Sequence, residues 1–171
     1  MAVETLSSPS ITNRDATPRV ANNPGVGSAG TLRFVQGYFA SVPASSSVGS
    51  TIRMCEIDAY AIVDSVSLQS AAQTAGAFDV GVYRTVPDGG AVVDADLFAS
   101  AVSCASAVAL TDITNESTLN TIAKQAQPLW QAAGVATAPA PGTKYDVVLT
   151  CATTPVTTGL GAIGVKVRYT I

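Results

Sequence analysis

The chain has 171 residues, the length of one domain at the usual ~100–200 residues, and its 9 basic and 12 acidic residues leave a net charge of −3. Only 12% of residues are charged, against roughly 25% in an average soluble domain, so Ser, Thr, Ala, Gly, Asn and Gln must cover the surface. There is no histidine, which removes the commonest general base and the Ser-His and Cys-His pairs, and the basic residues are scattered from Arg14 to Arg168 without the patch that nucleic acid requires.

The first residues, MAVETLSSPS, lack the basic start and apolar run of a secretory signal. Residues 1–30 hold three prolines and three glycines with almost no apolar periodicity, which predicts an extended N-terminal arm that cannot fold alone. Its predicted use is to order on a neighbouring subunit by strand-like pairing, the alternative being a merely disordered terminus. From Thr31 to Ile171 the texture changes to short apolar/polar alternations separated by turn residues, which predicts an all-β sandwich domain.

In that domain Leu32, Phe34 and Tyr38 alternate with Arg33 and Gly37 in a first strand. The Ser41–Ser50 loop is expected to be a flexible connection, and in the next strand Ile52 and Met54 oppose Arg53. Residues 59–68 place Tyr60, Ile62, Val66 and Leu68 on one face, and Asp64, which shares it, needs an edge or a partner. Phe78, Val80 and Val82 form a further strand that runs into a turn at Pro87-Asp88-Gly89-Gly90. Residues 91–110 mix alanines with Val and Phe and are expected to be irregular, with a short helical turn.

The clearest helical spacing lies in Glu116–Ala133, at Leu119, Ile122, Ala123, Ala126, Leu129, Trp130 and Ala133. Pro128 should break it, leaving a helix or loose segment before it and a short helix after it, with Pro128 near the first helical position and Gly134 just past the last. Tyr145, Val147, Leu149 and Cys151 then share one strand face, and Val165, Val167, Tyr169 and Ile171 another. That final apolar edge should be paired inside the sheet or against another subunit. The long uncharged run Val147–Val165 is broken by Thr, Pro and Gly and fails as a membrane span.

Chemistry-bearing residues are few. Asp94 and Asp96, with Asp88 nearby, could offer oxygens to a hard cation, but the spacing is not that of a calcium loop and reads as caps and solvated turns. Gly89-Gly90 and Gly159-Leu160-Gly161 lack the flanking residues of a phosphate loop and read as turns. Trp130 could stack on a sugar, yet its helical spacing points to packing. Cys55, Cys104 and Cys151 have neither disulfide nor metal-knuckle spacing and read as free buried thiols from a reducing compartment. No catalytic, cofactor-binding or metal-binding residue is therefore assigned, and no cofactor is expected.

The succession FDVGVYRT (78–85), PDGGAVVDADLFASAV (87–102), PLWQAAGV (128–135), YDVVLT (145–150) and GVKVRYTI (164–171) resembles the head cement and decoration proteins of tailed bacteriophages. The resemblance covers roughly the C-terminal two thirds. It implies a jelly-roll sandwich, assembly as a homotrimer, and no active site. It also implies a structural virion protein, made in the host cytoplasm, that binds the major capsid protein on the outside of the capsid at subunit junctions and resists the pressure of packaged DNA. Nucleic acid and membrane are not expected partners. The alternative is a carbohydrate- or receptor-binding β-sandwich of a phage fibre, which exposed aromatics around a shallow groove would favour; a hydrolase using Asp94 and Asp96 would need both in a cleft.

Overall fold

Runs of alternating apolar and polar residues have one way to satisfy both water and core, which is to form strands whose apolar sides face a second sheet. The computed structural model describes residues 17–18, 31–42, 46–73, 75–117, 121, 123–153, 156 and 161–171. Two compact units divide the chain, Met1–Thr31 and Leu32–Ile171, and the second holds the eight strands found among the described residues. Apart from Thr17 and Pro18, the arm expected over the first 30 residues lies outside the described residues.

The strands are β1 (Arg33–Phe39), β2 (Thr51–Asp58), β3 (Ile62–Ser70), β4 (Ala77–Arg84), β5 (Val92–Ser103), β6 (Val108–Asp112), β7 (Lys144–Cys151) and β8 (Ile163–Thr170). They form two four-stranded sheets, one in the order β1-β8-β3-β6 and one in the order β2-β7-β4-β5, with every pair antiparallel. First pairs with eighth, second with seventh, third with sixth and fourth with fifth. That is one long hairpin rolled into a sandwich, the jelly-roll arrangement, and the all-β, jelly-roll-like fold expected from the sequence is the one observed. Phe78, Val80, Val82, Val147, Leu149, Val165, Val167, Leu68 and Ile57 meet between the sheets in a single core.

Several elements depart from the sequence reading. In β1 the apolar residues lie on the wrong side: Phe34 and Tyr38 are 66% and 68% exposed, while Gly37 is buried. Only glycine fits this inward position, because a Cβ at 37 would overlap the backbone of Met54, the bulged residue of β2. In β3 the polar misfit Asp64 is removed by a second bulge, which skips it between Val63 and Ser65. Asp64 then points to solvent, 3.8 Å from Arg168, and Val66 and Leu68 return to the core.

The stretch expected to be irregular with a helical turn is instead β5, a loop and β6. Three register shifts let the 12 residues of β5 pair with the 8 of β4, so its alternation is destroyed while its pairing survives. Ala101 takes a left-handed φ of 50° in one shift, and its N–H donates to Asp79 Oδ1 at 2.7 Å. Of the helix expected over 116–133, only α1 (Leu129–Ala132) is helical among the described residues, with residues 118–120 and 122 lying outside them. Pro128 stands at the N-cap of α1, one position earlier than expected, and Gly134 follows with φ 77°. The N–H groups of Leu129 and Trp130 bond the carbonyls of Ala61 and Ala59 at 2.8 and 3.0 Å, so the β2–β3 turn satisfies the start of this short helix.

The turn after β4 forms as expected, as a 3-10 turn at Val86–Asp88 followed by Gly89 and Gly90 with φ of 87° and 65°. The Ser41–Ser50 connection is anchored in its described part, because Val42 is fully buried and its N–H bonds the Gly161 carbonyl. The pairing of strand β8 is internal to the sheet. It lies between β1 and β3 and is not an edge.

Candidate interaction surface

Asp94 and Asp96 sit where β5 first leaves register, and the Asp96 N–H reaches Asp94 Oδ1 at 3.4 Å. Burial raises the Asp94 pKa above the ordinary carboxylate value; the hydrogen bond from Asp96 opposes this and the Asp96 charge adds to it. Asp88 belongs to a different local structure, the 3-10 turn, where the Thr85 hydroxyl donates to it at 3.3 Å. Among the described residues no three of His, Cys, Asp and Glu form a group that could hold a metal ion. Gly161, the described member of Gly159-Leu160-Gly161, packs against Gln73, and the other two lie outside the described residues.

None of the three cysteines is joined in a disulfide; Cys104 and Cys151 are buried and Cys55 is half-buried. Burial first, and the neighbouring Asp146 charge second, push Cys55 up to about 12 from an ordinary 9.0. Burial likewise raises Cys104, with the Ser70 hydroxyl opposing it. Since the thiolate is the nucleophile, iodoacetamide at pH 8 should alkylate native Cys55 about 1000-fold more slowly than the unfolded chain does. Peptide mapping after alkylation with and without denaturant measures this, and equal rates would show that Cys55 is not desolvated. The sign of the pH effect is also set: a raised folded pKa costs stability as pH climbs from the unfolded value of 9.0 toward about 12.

Trp130 is partly covered rather than presented as a platform. It meets Tyr60 edge-on, with centroids 6.4 Å apart and planes at 63°, and its Nε1 is buried without a partner among the described residues. On the outer side of the β2-β7-β4-β5 sheet, Arg53 acts as a clamp that sequence reading treated only as a polar spacer. Its guanidinium bonds Asp146 Oδ2 at 2.6 Å and the carbonyls of Arg84 and Gly90 at 2.8 and 2.9 Å, and lies 5.8 Å from the Tyr83 ring centre. This ties the 3-10 turn to the sheet.

The outer side of the β1-β8-β3-β6 sheet is different, because it carries exposed apolar groups. Phe34, Tyr38 and Leu110 are all well exposed there. Register arranges its side chains in rows across strands: Phe34, Arg168 and Ser65; then Gln36, Lys166 and Ser67; then Tyr38, Gly164 and Gln69. In the middle row Lys166 leans back so that its ammonium sits 4.9 Å from the Phe34 ring centre. In the last row Gly164 has no side chain, and a groove of about 590 Å³ opens there between Gln36 and Tyr38 on one bank and Gln69 and Val108 on the other.

No family model and no curated protein matches the chain. Among the described residues no helix is long and apolar enough to cross a membrane. Among solved structures, a chain of the Cyanophage Pam1 capsid asymmetric unit superposes over 92% of this chain and 96% of that chain, with a TM-score of 0.51 and 16% sequence identity. At that identity the likeness is one of fold, and it extends over nearly the full length of both chains.

Proposed function

We propose that the chain is a structural protein of a phage virion, which binds the outside of the capsid at junctions between subunits of the major capsid protein and has no catalytic role. The observation that carries this reading is the fold shared, over nearly the whole of both chains, with a chain of a capsid asymmetric unit. Jelly rolls also serve as lectins, so fold alone does not choose; the resemblance of the motifs at 78–102 and 128–171 to cement and decoration proteins tips the reading toward the capsid. Low charge and exposed apolar groups on the β1-β8-β3-β6 sheet suit a surface that covers another protein. The mechanism would be added interface area, multiplied by the avidity of a homotrimer, with residues 1–30 as an arm across the neighbouring subunit.

The test is co-sedimentation of purified protein with undecorated heads, beside a variant lacking residues 2–29. Full-length protein should scatter light as a particle of three times 17.2 kDa, pellet with heads to saturation, and raise the temperature at which they release DNA. The truncated protein should keep its thermal transition but bind far more weakly. Absence of full-length protein from the pellet at every ratio would overturn the capsid role, and equal binding by the two would overturn the role of the arm.

A further inference from the structure

From the groove on the β1-β8-β3-β6 sheet we infer a second, independent property: it is a binding site for a neutral oligosaccharide, with Tyr38 as the stacking platform and Gln36 and Gln69 as the hydrogen-bonding groups. The first argument is shape. Neighbouring strands lie about 4.8 Å apart, so removing the side chain at Gly164 leaves a trench about two strand spacings wide between Tyr38 and Gln69. Its volume of about 590 Å³ lies within the roughly 300–1,000 Å³ typical of small-ligand sites.

The second argument is chemistry. Gln36, Tyr38, Gln69, Ser70, Val108 and Gly164 line the groove together with alanines and Ile163, and none of these carries a charge. The nearest cation on the sheet, Lys166, is drawn away from the groove toward Phe34 in the row on its far side. Phosphates, carboxylates and basic peptides therefore find no counter-charge here. An exposed aromatic ring presents a flat apolar face with a hydroxyl at its tip, and each glutamine offers both an acceptor and a pair of donors. A sugar ring needs that combination, since it has one apolar face of C–H groups and a rim of hydroxyls that both donate and accept. Tyr38 is 68% exposed beside the two amides on this sheet face, whereas the tyrosines at positions 60, 83, 145 and 169 are buried or half-buried.

The experiment uses the full chain on an array of immobilised oligosaccharides, neutral and acidic, followed by calorimetric titration of the neutral oligosaccharide best retained. Two variants act on the site in different ways. Tyr38→Ala removes the platform, and Gly164→Val fills the trench from its floor; a Cβ at 164 meets only the Gly37 carbonyl at 3.5 Å, an ordinary contact, so the strand is kept. Phe34→Ala, two rows away on the same face, is the control. Each site variant should weaken binding about tenfold or more, the scale of one lost aromatic contact, with an unchanged thermal transition, and the control should bind normally. Retention of no neutral oligosaccharide, preference for acidic ones, or binding indifferent to both variants would overturn the proposal. So would an oligomer that dissociates on Tyr38→Ala, which would assign the groove to a second copy of the chain.

Discussion

Gly81→Ala should lower the melting temperature of the domain by about 10 °C, the result of a steric cost of about 3 kcal/mol at the upper end of overpacking. Gly81 lies in β4 between the core residues Val80 and Val82, where β5 carries its largest excess of residues. The backbone of β5 at Asp94 and Ala95 passes so close that any Cβ at position 81 would overlap it. No flexible side-chain end can give way, because the obstacle is main chain, tied to β4 at Asp94 and again at Ala99. The control is Gly49→Ala, which has a φ of +88° and open space around it, so it loses only the left-handed preference, about 1 kcal/mol. Thermal unfolding of the two variants separates a steric cost from a conformational one. A Gly81→Ala protein no less stable than Gly49→Ala would mean that β5 does not cross there.

That crossing also explains why β5 escaped the sequence reading while its neighbours did not. FDVGVYRT and YDVVLT stay legible as strands because β4 and β7 are interior strands of one sheet that pair with each other without a shift. VVDADLFASAVS has the same residue types, but extra residues at each register shift reset which ones face inward, and a period of two disappears. Leu119 and Ile122, which carry much of the helical spacing, lie outside the described residues, and among those described only the part after Pro128, with its two backbone acceptors at Ala59 and Ala61, is helix.

Alternation reports which residues share a face, but not which face meets the core. In β1 that choice is made by Gly37, whose contact with Met54 is 17 positions away in sequence and was invisible to any local pattern. The same limit hid the surface groove. Tyr38, Gly164 and Gln69 are unremarkable singly, and only the long-range register of β1 on β8 and of β8 on β3 puts them in one row. The role of Arg53 is hidden from local pattern in the same way, since its partners are Asp146 in β7 and the carbonyls of Arg84 and Gly90 on either side of the turn after β4.

Val167→Asp should abolish folding, whereas Arg168→Ala, one residue later, should be nearly silent. Strand β8 is the central partner of both β1 and β3, and Val167 is fully buried opposite Val35 and Val66. A carboxylate there has no cation facing it from either neighbouring strand. Burying it costs several kcal/mol whether it stays charged or takes up a proton, comparable with the roughly 5–15 kcal/mol that stabilises a domain of this kind. Val167→Ala, which removes volume without adding charge, should cost about 2 kcal/mol and keeps the test informative if the Asp variant is insoluble. Arg168 points the other way, half-exposed and 3.8 Å from an equally exposed Asp64, and such a pair is worth under about 1 kcal/mol. Circular dichroism and chemical denaturation of the three variants measure the contrast, and a well-folded Val167→Asp protein would show that β8 is not interior. The outcome bears on assembly as well. With β8 consumed inside the sheet, an oligomer or a capsid contact cannot use it as a free edge; the outer face with Phe34 and Leu110 and the exposed edge strand β6 remain open to such a contact.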